Sequence, residues 1–195
     1  MKQEKFEAGQ IYHIYNRGNN KEDLFHEDKH YYYFLNLVKK YLVPVSDIYA
    51  YCLLKNHFHI LLKIYDYEKL PEELINKMHL PFSNLFNSYT KSINKERNRT
   101  GSLFQEHIHK NKVNNDTYLK QLVLYIHMNP VKHFNTDFKI YPYSSYNTFL
   151  ADRKTNISRD FILSYFEDRN NFEYWHNINK IKYEGLIEDI DKFDI

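Results

Sequence analysis

Two apolar runs, 48–54 and 57–64, are separated only by Lys55-Asn56, and this arrangement constrains the fold more than any other stretch. A two-residue polar break between runs of strand length reads as a β-hairpin, so the chain builds an antiparallel sheet around it. Alternation along the second run puts His57, His59 and Leu61 on one face and Phe58, Ile60 and Leu62 on the other. Alternate residues of a strand stand about 7 Å apart, so two such imidazoles can converge on one divalent cation or one phosphate.

The flanking segments supply the rest of a sheet. Residues 11–16 read as a first strand, ended by the turn-forming Arg17-Gly18-Asn19-Asn20. Helical spacing of Tyr32, Phe34, Leu35, Leu37 and Val38 predicts a helix over 28–41, closed by Pro44. Pro71 opens a long helical stretch with Leu85, Phe86, Tyr89 and Ile93 along one stripe, and Gly101 ends the link after it. A fourth strand is expected over 102–113, then a helix over 116–128, begun by Asn115-Asp116 and stopped by Asn129-Pro130. The order βαββαβ is the ferredoxin-like, split βαβ form of an α+β fold, with helices on one face of an antiparallel sheet and the other face left for ligands. Its first and third strands are neighbours, which brings His13 near the histidine pair. Residues 1–150 are expected to form this domain and 151–195 a small, acidic helical C-terminal extension, with helices over 158–166 and 172–181 and a ragged acidic end at 188–195.

Length allows one domain with a sizeable core. The single cysteine, Cys52, excludes an internal disulfide framework and a cysteine-rich zinc site, fits a reducing cytosol and reads as a buried thiol. No apolar stretch reaches the roughly 18 residues of a membrane span, so a cytoplasmic protein with no membrane partner is expected. Residues 158–195 hold 5 basic and 9 acidic side chains; of the chain's 27 and 25, this leaves 22 and 16 in the body, a positive surface suited to a polyanion. The 19 tyrosines and 14 phenylalanines add rings on which unpaired bases can stack.

Several blocks now fall in one order: Tyr12-His13-Ile14 with Asn16-Arg17-Gly18; Asn56-His57-Phe58-His59-Ile60-Leu61-Leu62; Tyr89 ahead of Asn94; Gly101-Ser102-Leu103-Phe104-Gln105; Tyr125-Ile126-His127-Met128-Asn129-Pro130-Val131; and Tyr141-Pro142-Tyr143-Ser144-Ser145-Tyr146. Over about residues 8–150 the chain resembles the single-tyrosine HUH transposases, most closely the REP-associated tyrosine transposases. The resemblance implies metal-dependent cleavage and transfer of hairpin-bearing single-stranded DNA through a 5′-phosphotyrosine, with no nucleotide cofactor, by a monomer or a homodimer. Among the tyrosines, Tyr89 lies on the helix after the histidine strand with Lys91, Lys95, Arg97 and Arg99 close behind, and is expected to be the nucleophile; Tyr118 and Tyr125 have the spacing of core residues. His57 and His59 are expected to hold Mg²⁺ or Mn²⁺ with Asn94 or His13, and with Glu96 ranked behind them. DNA contacts are expected from Asn16, Arg17, Asn56, the four cations of 91–99, Gln105, His107, His109, Lys110 and Lys132. The competing reading is a non-catalytic single-stranded nucleic-acid-binding module, since ferredoxin-like sheets also serve RNA recognition.

Overall fold

Lys55-Asn56 is a tight turn, and β2 (Ser46–Leu54) and β3 (His57–Ile64) pair antiparallel across it with Leu54 opposite His57. On its other side β3 pairs antiparallel with β1 (Ile11–Arg17), which pairs in turn with β4 (His109–Lys112), giving the order β2-β3-β1-β4. This is the ferredoxin-like order expected. The computed structural model describes residues 5–106 and 108–190, with the backbone alone over 180–190. Among the described residues no helix is long and apolar enough to cross a membrane.

The fourth strand is shorter than expected. Before it, Phe104 bridges to Gly18 and the Gln105 amide donates to the Arg17 carbonyl at 2.9 Å, so 103–105 follows the end of β1 as an irregular edge. Gly18 also donates its N–H to the Asn56 carbonyl at 2.8 Å, tying this edge to the hairpin turn. A Cβ on Gly18 would stand 2.0 Å from the Glu22 carbonyl oxygen, so the close approach admits no side chain. Gly18→Ala is expected to cost about 1–3 kcal/mol through forced backbone shifts, read as a lower denaturant midpoint at unchanged slope.

α1 (Asp28–Tyr41) starts at a reciprocal cap, in which the Glu27 carboxylate accepts from the His30 N–H and His30 Nδ1 accepts from the Glu27 N–H. α2 (His79–Glu96) begins later than Pro71, after single 3₁₀ turns at Tyr67–Lys69 and Glu72–Leu74. The two helices pack on one face of the sheet, where Phe34, Phe58, Ile60, Leu62, Leu85 and Tyr89 form one core.

The second face does not stand open, because α3 (Asp116–Phe134) lies across it against β2 and β3. Leu119, Leu122, Val123, Leu124, Tyr125, Ile126 and Met128 are all buried, and a helix apolar nearly all round needs cover on its outer side too. α4 (Tyr146–Leu150), α5 (Arg159–Ser164) and α6 (Arg169–Ile190) provide it through Phe149, Ile162 and Phe172, each worth about 1.5–3 kcal/mol when fully buried. Residues 151–179 therefore close the core that seats α3. Cys52 is buried there as expected, and burial raises its thiol pKa.

α6 is locked to α3 by a buried polar chain. His176 Nδ1 donates to the Phe172 carbonyl at 2.7 Å, so its Nε2 accepts from His127 Nδ1 at 2.9 Å, and His127 Nε2 accepts from the Ser145 hydroxyl at 2.8 Å. Every ring nitrogen is used with both histidines neutral. Burial accordingly lowers the His127 pKa and takes that of His176 down to about 3. A folded pKa below the unfolded value of 6.5 means that the unfolded chain binds more protons, so this stability is complete above pH 6.5 and is lost as pH falls toward 3. Below pH 6.5 each such histidine is expected to cost about 1.4 kcal/mol per pH unit. Denaturant midpoints at pH 7 and pH 5 check this, and equal midpoints would refute it.

Candidate functional site

Strand alternation turns His57 and His59 toward α3, where both are buried at 5 % and 1 % exposure instead of facing solvent as expected. Each ring is held from behind. Asn56 Oδ1 accepts from His57 Nδ1 at 2.7 Å, leaving the His57 lone pair on Nε2. His59 Nδ1 lies 3.1 Å from Nε2 of the fully buried His13 on β1. The His57 and His59 rings are 5.3 Å apart, and His59 Nε2 is buried with no hydrogen-bond partner among the described residues. Burial, then the neighbouring His13, His57, His133 and Lys132, lower the His59 pKa well below its usual value. A neutral imidazole with an unbonded nitrogen is the form that ligates a metal.

α3 completes the cluster. Tyr125, Asn129 and His133 lie on successive turns of one helix face. The Tyr125 ring meets His59 edge-on at 5.5 Å and His13 at 6.3 Å, while His133 meets His57 at 4.7 Å. Asn129 sits between them along the helix. Asn129-Pro130 does not stop α3, which runs on to Phe134 and ends at Asn135 in the left-handed region, φ 49°. Pro130 lacks the N–H that would serve the Ile126 carbonyl. Asn129 Nδ2 turns back into that gap, donating to the Tyr125 carbonyl at 2.9 Å and reaching the Ile126 carbonyl at 3.4 Å. Anchoring the nitrogen aims Asn129 Oδ1 away from the helix backbone, and this oxygen too is buried without a hydrogen-bond partner among the described residues. His59 Nε2 and Asn129 Oδ1 are thus two buried polar atoms without a hydrogen-bond partner among the described residues, an arrangement that is costly unless a ligand satisfies them.

Tyr89 is elsewhere. It is fully buried on the α1–α2 side with Phe25 and Phe34, and its hydroxyl donates to the Leu24 carbonyl at 2.7 Å. Burial raises its pKa, and the sheet separates it from the histidines. The stripe Leu85–Tyr89–Ile93 is the buried stripe of α2, so proximity to cations in sequence misidentified a core residue. Asn94 donates to the Gly101 carbonyl and accepts from Arg99, and Glu96 pairs with Lys29 and His30, so both ligand candidates stand on the Tyr89 side. Of the proposed third ligands only His13 reaches the cluster, behind His59.

The expected DNA contacts disperse. Asn56 holds His57, and Lys132 is among the charges acting on His59. His109 stacks on Tyr15 at 5.0 Å, extending a row of rings from His59 across the sheet, and Arg17 lies opposite His57 in the register. Asn16 is buried and donates to the Gln105 carbonyl; Lys110 Nζ lies over the Phe6 ring. Lys91, Lys95 and Arg97 are exposed at α2, and Arg99 bonds Asn94 and Glu22. His107 lies outside the described residues.

A second group, Glu27, His30 and Glu96, brings three possible metal donors within 4.8 Å of one another. His30 Nδ1 accepts from two backbone amides, so its Nε2 carries the proton that meets Glu96, and Lys29 sits 2.8 Å from the same carboxylate oxygen. A cation there has to displace both.

No family model matches the chain, and no curated protein matches it by sequence. Among solved structures, one described as a REP-associated tyrosine transposase bound to a REP hairpin is similar to it at TM-score 0.60 and 16 % identity, covering 78 % of this chain and 85 % of that one. At that identity the likeness establishes the shared fold: a four-stranded antiparallel sheet with helices, as in a transposase domain.

Proposed function

We propose that this chain nicks and rejoins hairpin-associated single-stranded DNA through a covalent tyrosine intermediate, with Tyr125 as the nucleophile in place of Tyr89. The observation that carries the reading is Tyr125 and Asn129 on successive turns of α3 over the His57–His59 pair, with His59 Nε2 and Asn129 Oδ1 both unbonded. The ordered sequence blocks and the fold likeness to a hairpin-bound transposase support the substrate class.

Under this reading His57, His59 and Asn129 would hold Mg²⁺ or Mn²⁺, a neutral nitrogen and oxygen donor set that leaves positions for phosphate oxygens. The bound cation supplies Lewis-acid polarisation of the scissile phosphate. Tyr125 attacks phosphorus as its phenol loses a proton; the P–O3′ bond breaks, the 3′-oxygen takes up a proton, and the 5′-phosphate stays on the tyrosine. A returning 3′-hydroxyl reverses these steps, so bond energy is kept and no nucleotide cofactor is needed. His13 and Asn56 orient the imidazoles from behind, and Lys132 adds positive charge beside them. Residues 1–150 carry the chemistry, and 151–179 brace the helix that bears the nucleophile.

The test is incubation with hairpin-tailed single-stranded DNA and Mn²⁺, scored for a denaturation-resistant adduct and mapped by peptide analysis. An adduct on Tyr125 supports the assignment. Tight binding with no adduct on any hairpin favours the non-catalytic binding module.

A further inference from the structure

Asn129 and Pro130 act as one device. Pro130 withholds the N–H that the Ile126 carbonyl would take up, and Asn129 Nδ2 turns back to the Tyr125 carbonyl at 2.9 Å and the Ile126 carbonyl at 3.4 Å. That task needs a donor, so the side chain has to be an amide; an aspartate of the same shape sets a second oxygen against those carbonyls. The oxygen left over, Asn129 Oδ1, is therefore uncharged, and like His59 Nε2 it is buried without a hydrogen-bond partner among the described residues. We propose that Asn129 makes the cation site dependent on DNA: His57, His59 and Asn129 hold Mn²⁺ weakly by themselves and firmly only when a backbone phosphate supplies the missing negative charge. The inference rests on the cation site and the DNA substrate proposed above, not on the identity of the nucleophile.

Two observations carry it. The first is the donor set, two imidazoles and an amide, which brings no formal charge to the ion. Hard divalent cations of the Mg²⁺ kind are held through carboxylates together with substrate phosphates, and a set that offers no carboxylate leaves the whole of that role to the phosphate. The second is the charge around the site. The groups that act most on His59 are His13, His57, His133 and Lys132, none of them a carboxylate. Lys132 follows Asn129 by three residues on α3, which makes the two neighbours on the helix surface. Arg17 stands opposite His57 in the register, so the two side chains leave the same face of the sheet from Cβ atoms about 4.5–5.5 Å apart. A dication entering alone adds to this positive charge, whereas one entering with a phosphate does not.

The two ligands are thereby linked. Whatever factor the phosphate adds to the affinity for the cation, the cation adds to the affinity for the strand. The protein without DNA then carries little metal, and the Lewis acid assembles only around a phosphodiester already in place.

Mn²⁺ binding, read from the electron paramagnetic resonance signal of the free ion, tests the inference on the full chain with Tyr125→Phe, and a denaturing gel checks that the strand stays uncut. A hairpin-tailed single strand is expected to tighten Mn²⁺ binding about tenfold beyond the background set by His59→Ala and by the strand alone, and Mn²⁺ to tighten strand binding, read by fluorescence anisotropy, by the same factor. The same strand with an uncharged methylphosphonate tail is expected to give no tightening. Asn129→Asp is expected to bind Mn²⁺ alone about tenfold more tightly and to shrink the coupling. Where the single change fails to fold, Asn129→Asp with Pro130→Ala returns an N–H to the Ile126 carbonyl and is expected to behave in the same way. Lys132→Gln is expected to give a smaller gain for Mn²⁺ alone. Mn²⁺ affinity that ignores the strand, tightening that survives the methylphosphonate tail, or an Asn129→Asp/Pro130→Ala chain that binds Mn²⁺ no better than the parent overturns it. Coupling with no adduct from the unmodified chain keeps the inference and sinks the strand-transfer reading; an adduct with uncoupled binding sinks the inference alone.

Discussion

Tyr125→Phe is expected to form no covalent adduct with hairpin-bearing single-stranded DNA, while Tyr89→Phe forms it at the parent level. Removing the Tyr125 oxygen removes the attacking atom and keeps the ring that packs on His59 at 5.5 Å, so folding and DNA binding change little. In Tyr89→Phe the loss is the hydrogen bond to the Leu24 carbonyl, about 0.5–1.5 kcal/mol of stability with no effect on chemistry. The paired measurement is adduct yield on labelled DNA beside a denaturation curve for each variant. An adduct in Tyr125→Phe, or its loss in Tyr89→Phe alone, returns the assignment to α2.

His59→Ala and Asn129→Ala are each expected to abolish the rise in melting temperature that Mn²⁺ gives the parent, because each removes one of the two proposed ligand atoms that lack a hydrogen-bond partner among the described residues. Both substitutions also destabilise the metal-free protein. The histidine leaves a cavity beside His13, and the asparagine leaves the Ile126 carbonyl without its substitute donor, at about 1–3 kcal/mol. The readout is therefore the Mn²⁺-induced shift within each variant, not the absolute melting temperature. Glu96→Gln serves as the control for the second donor group and is expected to keep the full shift. If Glu96→Gln loses the shift and Asn129→Ala retains it, the cation binds at Glu27, His30 and Glu96.

The sheet was legible because its signals are local. The Lys55-Asn56 break, the alternation in β3 and the strand-helix order specify the antiparallel arrangement and the face on which His57 and His59 lie. The roof was not read, although α3 carries the signal: apolar residues from Leu119 to Met128 occupy nearly the whole circumference, and such a helix cannot rest on a sheet with its back in water. Missing that, the histidines looked exposed, whereas Tyr125, read as a core residue, is indeed buried in the core under α3. Its relation to Asn129, one turn on and followed by a proline that empties a carbonyl, was visible in the chain. Tyr89 failed for the converse reason, since adjacency to Lys91 and Lys95 in sequence says nothing about which side of the helix faces the sheet. The dispersal of Asn94 and Glu96 to capping and ion-pairing partners depends on tertiary contacts that spacing does not encode.

If the chain exchanges strands as proposed, the burial of α3 decides what moves. A helix held by the sheet beneath, by α4 to α6 above and by the His127–His176 link has no hinge on which to swing. Under the proposed chemistry the attached 5′ end then stays parked at a fixed address, and the incoming 3′ end has to travel to it. Choreography passes from the polypeptide to the nucleic acid: the folding of the DNA, not the reach of a mobile arm, selects which ends are joined.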